Sequence, residues 1–441
     1  MGREKELRIV MFPWFAFGHF IPYLHLSNKL AEKGHKITFL LPDKAKLQLD
    51  PLNLHPSLIN FHSITVPHLE TLPPATQTTA DISLDQHGDL SISMDRTRPD
   101  VESILSTHKP DFVLYDMAHW IPDIASKLGI KSVSYNIVCA ISLSFVRPSL
   151  LPKAAEPERP VNNVPGWCLK DSSPYFGEGI TLLERSVISL SSADAIAIRT
   201  FREIEGVYCD RVAATFNKPV LVTGHALPDL QLSPPLETHW AEWLARYDPG
   251  SVIFVCLGSQ HVLDAPQLQE LAIGLEMTGH PFLMAVKPPV GCATLEELLP
   301  EGYNDRVSGR GVVHGGWVQQ QQILAHPSLG CFVTHCGSSS MWEGLSSESQ
   351  LVLLPQLPDQ TLNANLMADE LKVGVKVERQ QNGWVSKQGL CEAINRVMDQ
   401  DSDVSHVVRK NHAKCRSMLI SPGFITDYID NFIKDLQALI P

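Results

Sequence analysis

Apolar residues fall in short runs separated by stretches with a helical repeat, and this alternation recurs along most of the chain. Arg8–Phe12 is an apolar run of strand length. A loop carrying Pro13, Gly18 and His19 follows, and apolar positions then recur at helical spacing from Ile21 to Lys33, where Gly34 ends the pattern. Lys36–Leu41 is apolar again, so the segment reads as strand, helix, strand, a unit that pairs its strands in parallel. The rhythm returns with a strand at Phe112–Tyr115, a helix over Ile121–Leu128 and a strand at Lys131–Tyr135, and strands at Asp194–Thr200 and Pro219–Thr223 close this half. Pro51 to Arg98 is rich in Pro, Ser, Thr and His with weak periodicity, which predicts loops on one rim of a sheet. Ser142 to Ser189 is irregular too, because prolines from Pro148 to Pro174 interrupt any long helix.

The stretch His225–Pro235, with Pro228, Pro234 and Pro235, reads as a linker. Beyond it the alternation restarts with a strand at Ser251–Leu257 ending in Gly258-Ser259, a helix over Ala265–Met277 and a strand at Phe282–Val286. A helix near Gln319–Ala325, a strand at Cys331–His335, a helix from Ser338 and a strand at Leu351–Pro355 follow, and then helices to the end. Two such series predict an α/β protein with two doubly wound, Rossmann-like parallel-sheet domains, over residues 1–236 and 237–421, with the cleft between them as the default site. Residues 422–441 form an amphipathic helix pattern, with Ile429, Phe432, Ile433 and Leu436 on a broad apolar face.

A length of 441 residues suits two or three domains of roughly 100–200 residues each. With 44% hydrophobic and 19% charged residues the composition is that of a soluble globular chain. The formal net charge of −12 argues against nucleic acid or an anionic membrane surface as partner, so an anionic ligand would need a local positive site. Nine cysteines without a CxxC pair suit reduced thiols. The N-terminal MGREKELRIV lacks the apolar core of a secretory signal, and Glu6 breaks the myristoylation pattern that Gly2 begins. No apolar run approaches the ~20 residues that span a bilayer. A cytoplasmic monomer without membrane insertion is the expectation.

Candidate chemistry concentrates between Trp317 and Asn363. His335-Cys336-Gly337-Ser338-Ser339-Ser340 follows an apolar strand and opens a helix, where unpaired backbone N–H groups, the positive end of the helix dipole and Ser hydroxyls can seat a diphosphate. Read alone, the serines serve as well for a helix cap. Trp317, after Gly315-Gly316, offers an indole face to a base, although a lone Trp is more often core. Glu343 on the helix after the seat can accept both hydroxyls of a ribose. Asp359 and Gln360 follow Pro355 at a strand's C-terminal edge, where open α/β sheets bind ligands. Gly258-Ser259, at another strand end, is a second candidate phosphate contact.

Taken together, Trp317, Gln320, His335, Gly337, Ser340, Glu343, Pro355, Gln356, Asp359 and Gln360 resemble the signature box of plant-type family 1 UDP-glycosyltransferases, and the likeness extends in looser form over nearly the full chain. The resemblance implies the GT-B fold, an inverting transfer from a UDP-sugar without a metal or other cofactor, and a terminal helix that returns to the N-terminal domain. It implies that Trp317 stacks on uracil with the Val318 backbone at its edge, that Gln320 and Glu343 hold the ribose, that His335, Gly337 and Ser338–Ser340 hold the diphosphate, and that Asp359 and Gln360 hold the sugar; Gly18 and Ser259 join this donor set. Two positions depart from the family pattern. Ser338-Ser339 stand where Trp-Asn is usual, and Gln319 where Pro is usual. Loss of the Trp-Asn pair resembles the subgroup that extends existing sugars on flavonoid or terpenoid glycosides.

In the N-terminal half, His19 can take a proton from an acceptor hydroxyl, and the resemblance places Asp116 as the carboxylate that orients it, with Asp111 and Asp123 as nearby competitors. Phe17, Trp120, Tyr135, Ile137, Phe145, Tyr175 and Phe176 offer apolar surface for a small-molecule acceptor, and any one of them serves equally as core. His119 and His87 are candidate polar contacts to an acceptor sugar. UDP-glucose is the favoured donor, with UDP-rhamnose, UDP-xylose or transfer straight to an aglycone as alternatives, and a UDP-sugar binding protein without turnover as the non-enzymatic one. No GxGxxG follows the first strand and no GxSxG surrounds Ser259 or Ser340, which disfavours a dinucleotide dehydrogenase and an α/β-hydrolase.

Overall fold

The structure, a computed structural model, describes residues 6–148, 175–227, 234–258, 263–288 and 294–440. It divides into two compact units. The first holds the described residues up to Leu227 together with the chain from Ile425, and the second holds the described residues from Pro234 to Phe424.

Seven parallel strands, β1 (Arg8–Phe12), β2 (Lys36–Leu41), β3 (Ile59–Ser63), β4 (Phe112–Tyr115), β5 (Lys131–Asn136), β6 (Ala195–Ile198) and β7 (Val220–Val222), form the sheet of the first unit in the order β3-β2-β1-β4-β5-β6-β7. Helices cover both faces, so the central strands are apolar at successive positions rather than alternating, and β4 and β6 are buried throughout. The order reverses between β1 and β4, whose register pairs Phe12 with Tyr115. The residues leaving the C-terminal ends of these two strands therefore meet at the switch point, where such sheets bind ligands.

The second unit repeats the plan with β8 (Val252–Cys256), β9 (Phe282–Ala285), β10 (Gly311–His314), β11 (Leu329–Thr334), β12 (Gln350–Leu353) and β13 (Gly374–Lys376), ordered β10-β9-β8-β11-β12-β13 and all parallel. Its switch point lies between β8 and β11, where Cys256 pairs with Thr334. Gly258 and His335, two and one residues further on, are brought face to face.

The terminal helix, Phe424–Ala438, buries Ile429, Phe432, Ile433 and Leu436 in the core of the first unit. Tyr428 accepts the Arg202 N–H at 2.9 Å and donates to Glu203, and Lys33 pairs with Asp430. The helix is thus joined to its own unit by an apolar stripe and a polar rim.

Four sequence expectations change. Ser142–Ser189 is not irregular to its end, because a helix capped by Thr181 runs over Leu182–Ser192 beyond the last of the prolines. Pro51–Arg98 is not all loop: it holds β3 and a helix at His87–Asp95. An edge strand with one covered face and a helix of mixed polarity leave only weak periodicities. The tail of the second unit is not all helix, because β13 is three residues long, too short to carry a pattern. The first helix begins at Phe17 rather than Ile21, which puts His19 in its opening turn. No side chain caps that turn, so the usual start signal is missing.

Candidate active site

His19 and Asp116 meet at the first switch point. The helix Phe17–Glu32 starts as the chain leaves β1, and Asp116 immediately follows β4. His19 Nδ1 lies 2.5 Å from Asp116 Oδ2, and the other carboxylate oxygen accepts the backbone N–H groups of Trp14 at 2.7 Å and Met117 at 2.6 Å. Asp116 is buried, and three donors hold its charge there. With the carboxylate on Nδ1, that nitrogen carries the proton and Nε2 is left to act as a base. The competing carboxylates are engaged elsewhere: Asp111 accepts the Arg8 N–H at 2.8 Å and Asp123 pairs with Arg98 at 3.5 Å. Below the pair, burial pushes the Tyr23 hydroxyl well above its ordinary range and the Asp116 charge adds to that, so Tyr23 stays neutral and donates to the Tyr135 carbonyl at 2.7 Å.

The expected acceptor residues divide by exposure. Phe17 is half-buried beside His19, with its ring 5.8 Å from Phe20. Trp120 is buried against Phe12, and its indole N–H donates to Asp95 at 2.8 Å, so it is fixed rather than free to adapt. Tyr135 and Ile137 are buried on or just past β5, and Phe145 and Phe176 are half-buried. Tyr175 is 56% exposed and bridged to Thr181. Burial, followed by the nearby Arg185 charge, holds the His119 imidazole below its ordinary pKa and therefore neutral. His87 opens the helix His87–Asp95. Gly18 is exposed in the first turn of the helix that carries His19.

In the second unit the candidate diphosphate seat centres on His335. A Cβ on Gly258 would lie 2.7 Å from His335 Nε2 and one on Gly337 2.4 Å from it, so the imidazole fills a slot that both positions must leave open. Cys336 adopts a left-handed backbone (φ 64°), with its N–H on Thr334 Oγ1 at 3.2 Å and its carbonyl accepting the buried Asn363 amide at 2.9 Å. Gly337 is the N-cap of the helix Ser338–Ser346 and no side chain caps it. The serines are thus the first turn of the helix rather than its cap, the part of a helix whose backbone N–H groups have no intrahelical acceptor and suit an anion.

Trp317 is 80% exposed, which removes the core explanation, while the adjoining Val318 is buried. Gln320 donates to Ser340 Oγ at 3.1 Å and to Glu343 Oε2 at 2.6 Å, and Gln321 donates to Glu343 Oε1 at 3.2 Å. Glu343 is therefore aimed by two amides, one on each carboxylate oxygen. Gln360 is buried with its carbonyl capping the helix Pro358–Asn365 through the N–H groups of Gln356 (2.9 Å) and Leu357 (3.1 Å), which commits one end of the side chain to structure. Asp359, half-buried, stands in the first turn of that helix. Ser259 lies outside the described residues.

Several contributors escaped the sequence reading. Gln319 donates to the Pro235 carbonyl at 2.9 Å and accepts the Glu237 N–H at 2.7 Å, clamping the start of the second unit to the loop that carries Trp317. Arg185 and Asp95 stand behind the loop after Asp116. The stretch up to Ser189 reads as irregular in sequence, so Arg185 gave no signal until the helix Leu182–Ser192 placed it in the interior.

Residues 231–413 match the family described as UDP-glucoronosyl and UDP-glucosyl transferase. The chain is similar to UDP-glucosyl transferase 79L3 of Saponaria officinalis, at 64% identity over 439 residues covering 99% of each. It is also similar to the anthocyanidin 3-O-glucoside 2'''-O-xylosyltransferase of Arabidopsis thaliana, at 48% identity over 463 residues covering 100% of this chain and 98% of the other. Among solved structures, UGT73P12 of Glycyrrhiza uralensis superposes with a TM-score of 0.83 at 21% identity, covering 99% of this chain and 96% of that one, and so supports the fold.

Proposed function

The chain belongs to the plant family 1 UDP-glycosyltransferases and is a glycosyltransferase of GT-B fold, and from that premise we propose that it transfers a sugar, with inversion, from a UDP-sugar to a hydroxyl of a small-molecule glycoside. The observation that carries the mechanism is the 2.5 Å contact between His19 and Asp116. His19 Nε2 takes the proton as the acceptor oxygen attacks the anomeric carbon, and Asp116 stabilises the imidazolium that forms. The bond from that carbon to the diphosphate breaks on the opposite side, which inverts the centre. UDP leaves with its charge on the uncapped turn at Ser338–Ser340, so the proposal contains no metal.

In the donor assignment Trp317 stacks on uracil beside the Val318 backbone, Gln320 and Glu343 hold the ribose, His335 and Gly337 line the diphosphate, and Asp359 and the amide of Gln360 read the sugar. UDP-glucose is the proposed donor, supported by the 64% identical glucosyl transferase; UDP-xylose is the next candidate, since a 48% identical relative is a xylosyltransferase. That relative acts on an anthocyanidin glucoside, which supports a glycoside such as a flavonoid or terpenoid glycoside as acceptor here. The wall residues are Phe17, Trp120, Ile137, Phe145 and Tyr175. No helix among the described residues is long and apolar enough to cross a membrane; a cytoplasmic monomer is part of the proposal. The test is turnover of His19→Ala with UDP-glucose and a flavonoid monoglucoside. A loss of roughly 10²–10⁴ in kcat with unchanged UDP affinity is expected for a general base, and near-normal kcat would remove His19 from the mechanism.

A further inference from the structure

Beside the turn after Asp116 lies an ion pair, fully buried on the Arg185 side and 24% exposed on the Asp95 side, with no part in the roles above. Arg185, on the helix Leu182–Ser192, has no exposed surface. Its guanidinium forks onto Asp95, Nη1 to Oδ1 at 3.0 Å and Nη2 to Oδ2 at 2.5 Å. Nη1 also donates to the Met117 carbonyl at 2.8 Å, and Nε to the Phe176 carbonyl at 2.8 Å. The plane of the group lies 5.6 Å over the Phe176 ring, and Asp95 Oδ1 accepts the Trp120 indole N–H as well. Gly177, at φ 130°, closes the chain so tightly over the fork that a Cβ there would stand 2.4 Å from Arg185 Nη2.

A buried ion pair is a weak source of stability, because desolvation offsets most of its attraction and an apolar pair of the same volume often serves as well. What a guanidinium fork supplies is direction. Each group it holds adjoins the proposed machinery: Met117 gives its N–H to Asp116, Trp120 ends the same turn, and Phe176 follows the exposed Tyr175.

We propose that Arg185 and Asp95 are positioning residues, which lock the Met117–Trp120 turn so that Asp116 stays aimed at His19 and the acceptor wall stays in register. This rests on the His19–Asp116 reading. The pair touches neither donor nor reacting atoms, so its loss should lower kcat without altering UDP binding, which the second unit supplies.

The test is the double variant Asp95→Leu/Arg185→Met in the full chain, which replaces the pair by apolar side chains. Melting temperature, UDP affinity by calorimetry, and kcat and KM for UDP-glucose and a flavonoid monoglucoside are measured. The proposal expects a folded protein with parental UDP affinity and a kcat reduced by ~30–100-fold, the scale of an ångström of misalignment. A folded double variant with kcat within threefold of the parent would overturn it. Should that variant fail to fold, Arg185→Lys keeps the charge but not the two-pronged fork on Asp95; kcat lowered by ~3–10-fold at parental UDP affinity supports the proposal, and parental kcat overturns it. His19→Ala in the same assay separates the two readings. If it is silent while the double variant is normal, only the positioning role fails; if it is active, the base assignment fails first.

Discussion

His19 and Asp116 are 97 residues apart, and nothing in the spacing of the sequence joins them. What joins them is the strand order, which sets the exits of β1 and β4 side by side. His19 was legible as a residue type after a first strand, and its pairing with Asp116 through the family resemblance; the contact itself, and the engagement of Asp111 and Asp123 elsewhere, needed the fold. Trp317 shows the converse. The family resemblance singles it out where a lone Trp is more often core, and its 80% exposure removes the core explanation. Trp317→Ala is therefore expected to leave the melting temperature unchanged and to weaken UDP binding by ~1–3 kcal/mol, the usual worth of a base stacked on an aromatic ring. Calorimetric titration with UDP checks this, and unchanged affinity would sink the uracil assignment.

At the scale of elements, long apolar strands and amphipathic helices were legible, whereas β3, β13 and the helix His87–Asp95 were not. These three are short, at an edge or of mixed polarity, and tertiary packing rather than local pattern decides them. The turn from β11 into the helix Ser338–Ser346 depends on bare glycines. Gly337→Ala is expected to push the His335 ring aside, given the 2.4 Å approach, and to raise the Kd for UDP ~10-fold if one charge-assisted hydrogen bond to the diphosphate is lost. An unchanged Kd would show that the ring has no part in the seat. The terminal helix carries a different kind of load. Phe432 is fully buried in the core of the first unit, so Phe432→Ala should cost ~3–5 kcal/mol in denaturant unfolding, and a loss below about 1 kcal/mol would contradict the observed packing.

For the whole molecule, buried histidines set the response to acid. Burial holds His412 at about 4, with Nε2 on the Gly344 carbonyl of the seat helix at 3.1 Å, and burial with the Arg199 charge holds His25 at about 3. Both values lie below the ordinary value of 6.5. Between these limits the unfolded chain binds protons that the folded chain refuses. Stability from these groups is therefore complete above about pH 6.5 and is lost as pH falls toward 4, by on the order of 3 kcal/mol for His412. Urea unfolding at pH 7 and pH 5 should show the drop, and His412→Gln should reduce it while leaving the His25 share; equal stabilities at the two pH values would contradict the buried, neutral state.

The most direct test of the central claim is to incubate the protein with UDP-glucose and either a flavonoid monoglucoside or its aglycone, and to read product mass and anomeric configuration. The account predicts a diglycoside with an inverted anomeric centre from the monoglucoside and little product from the aglycone. Transfer to the aglycone alone, or retention of configuration, would contradict it.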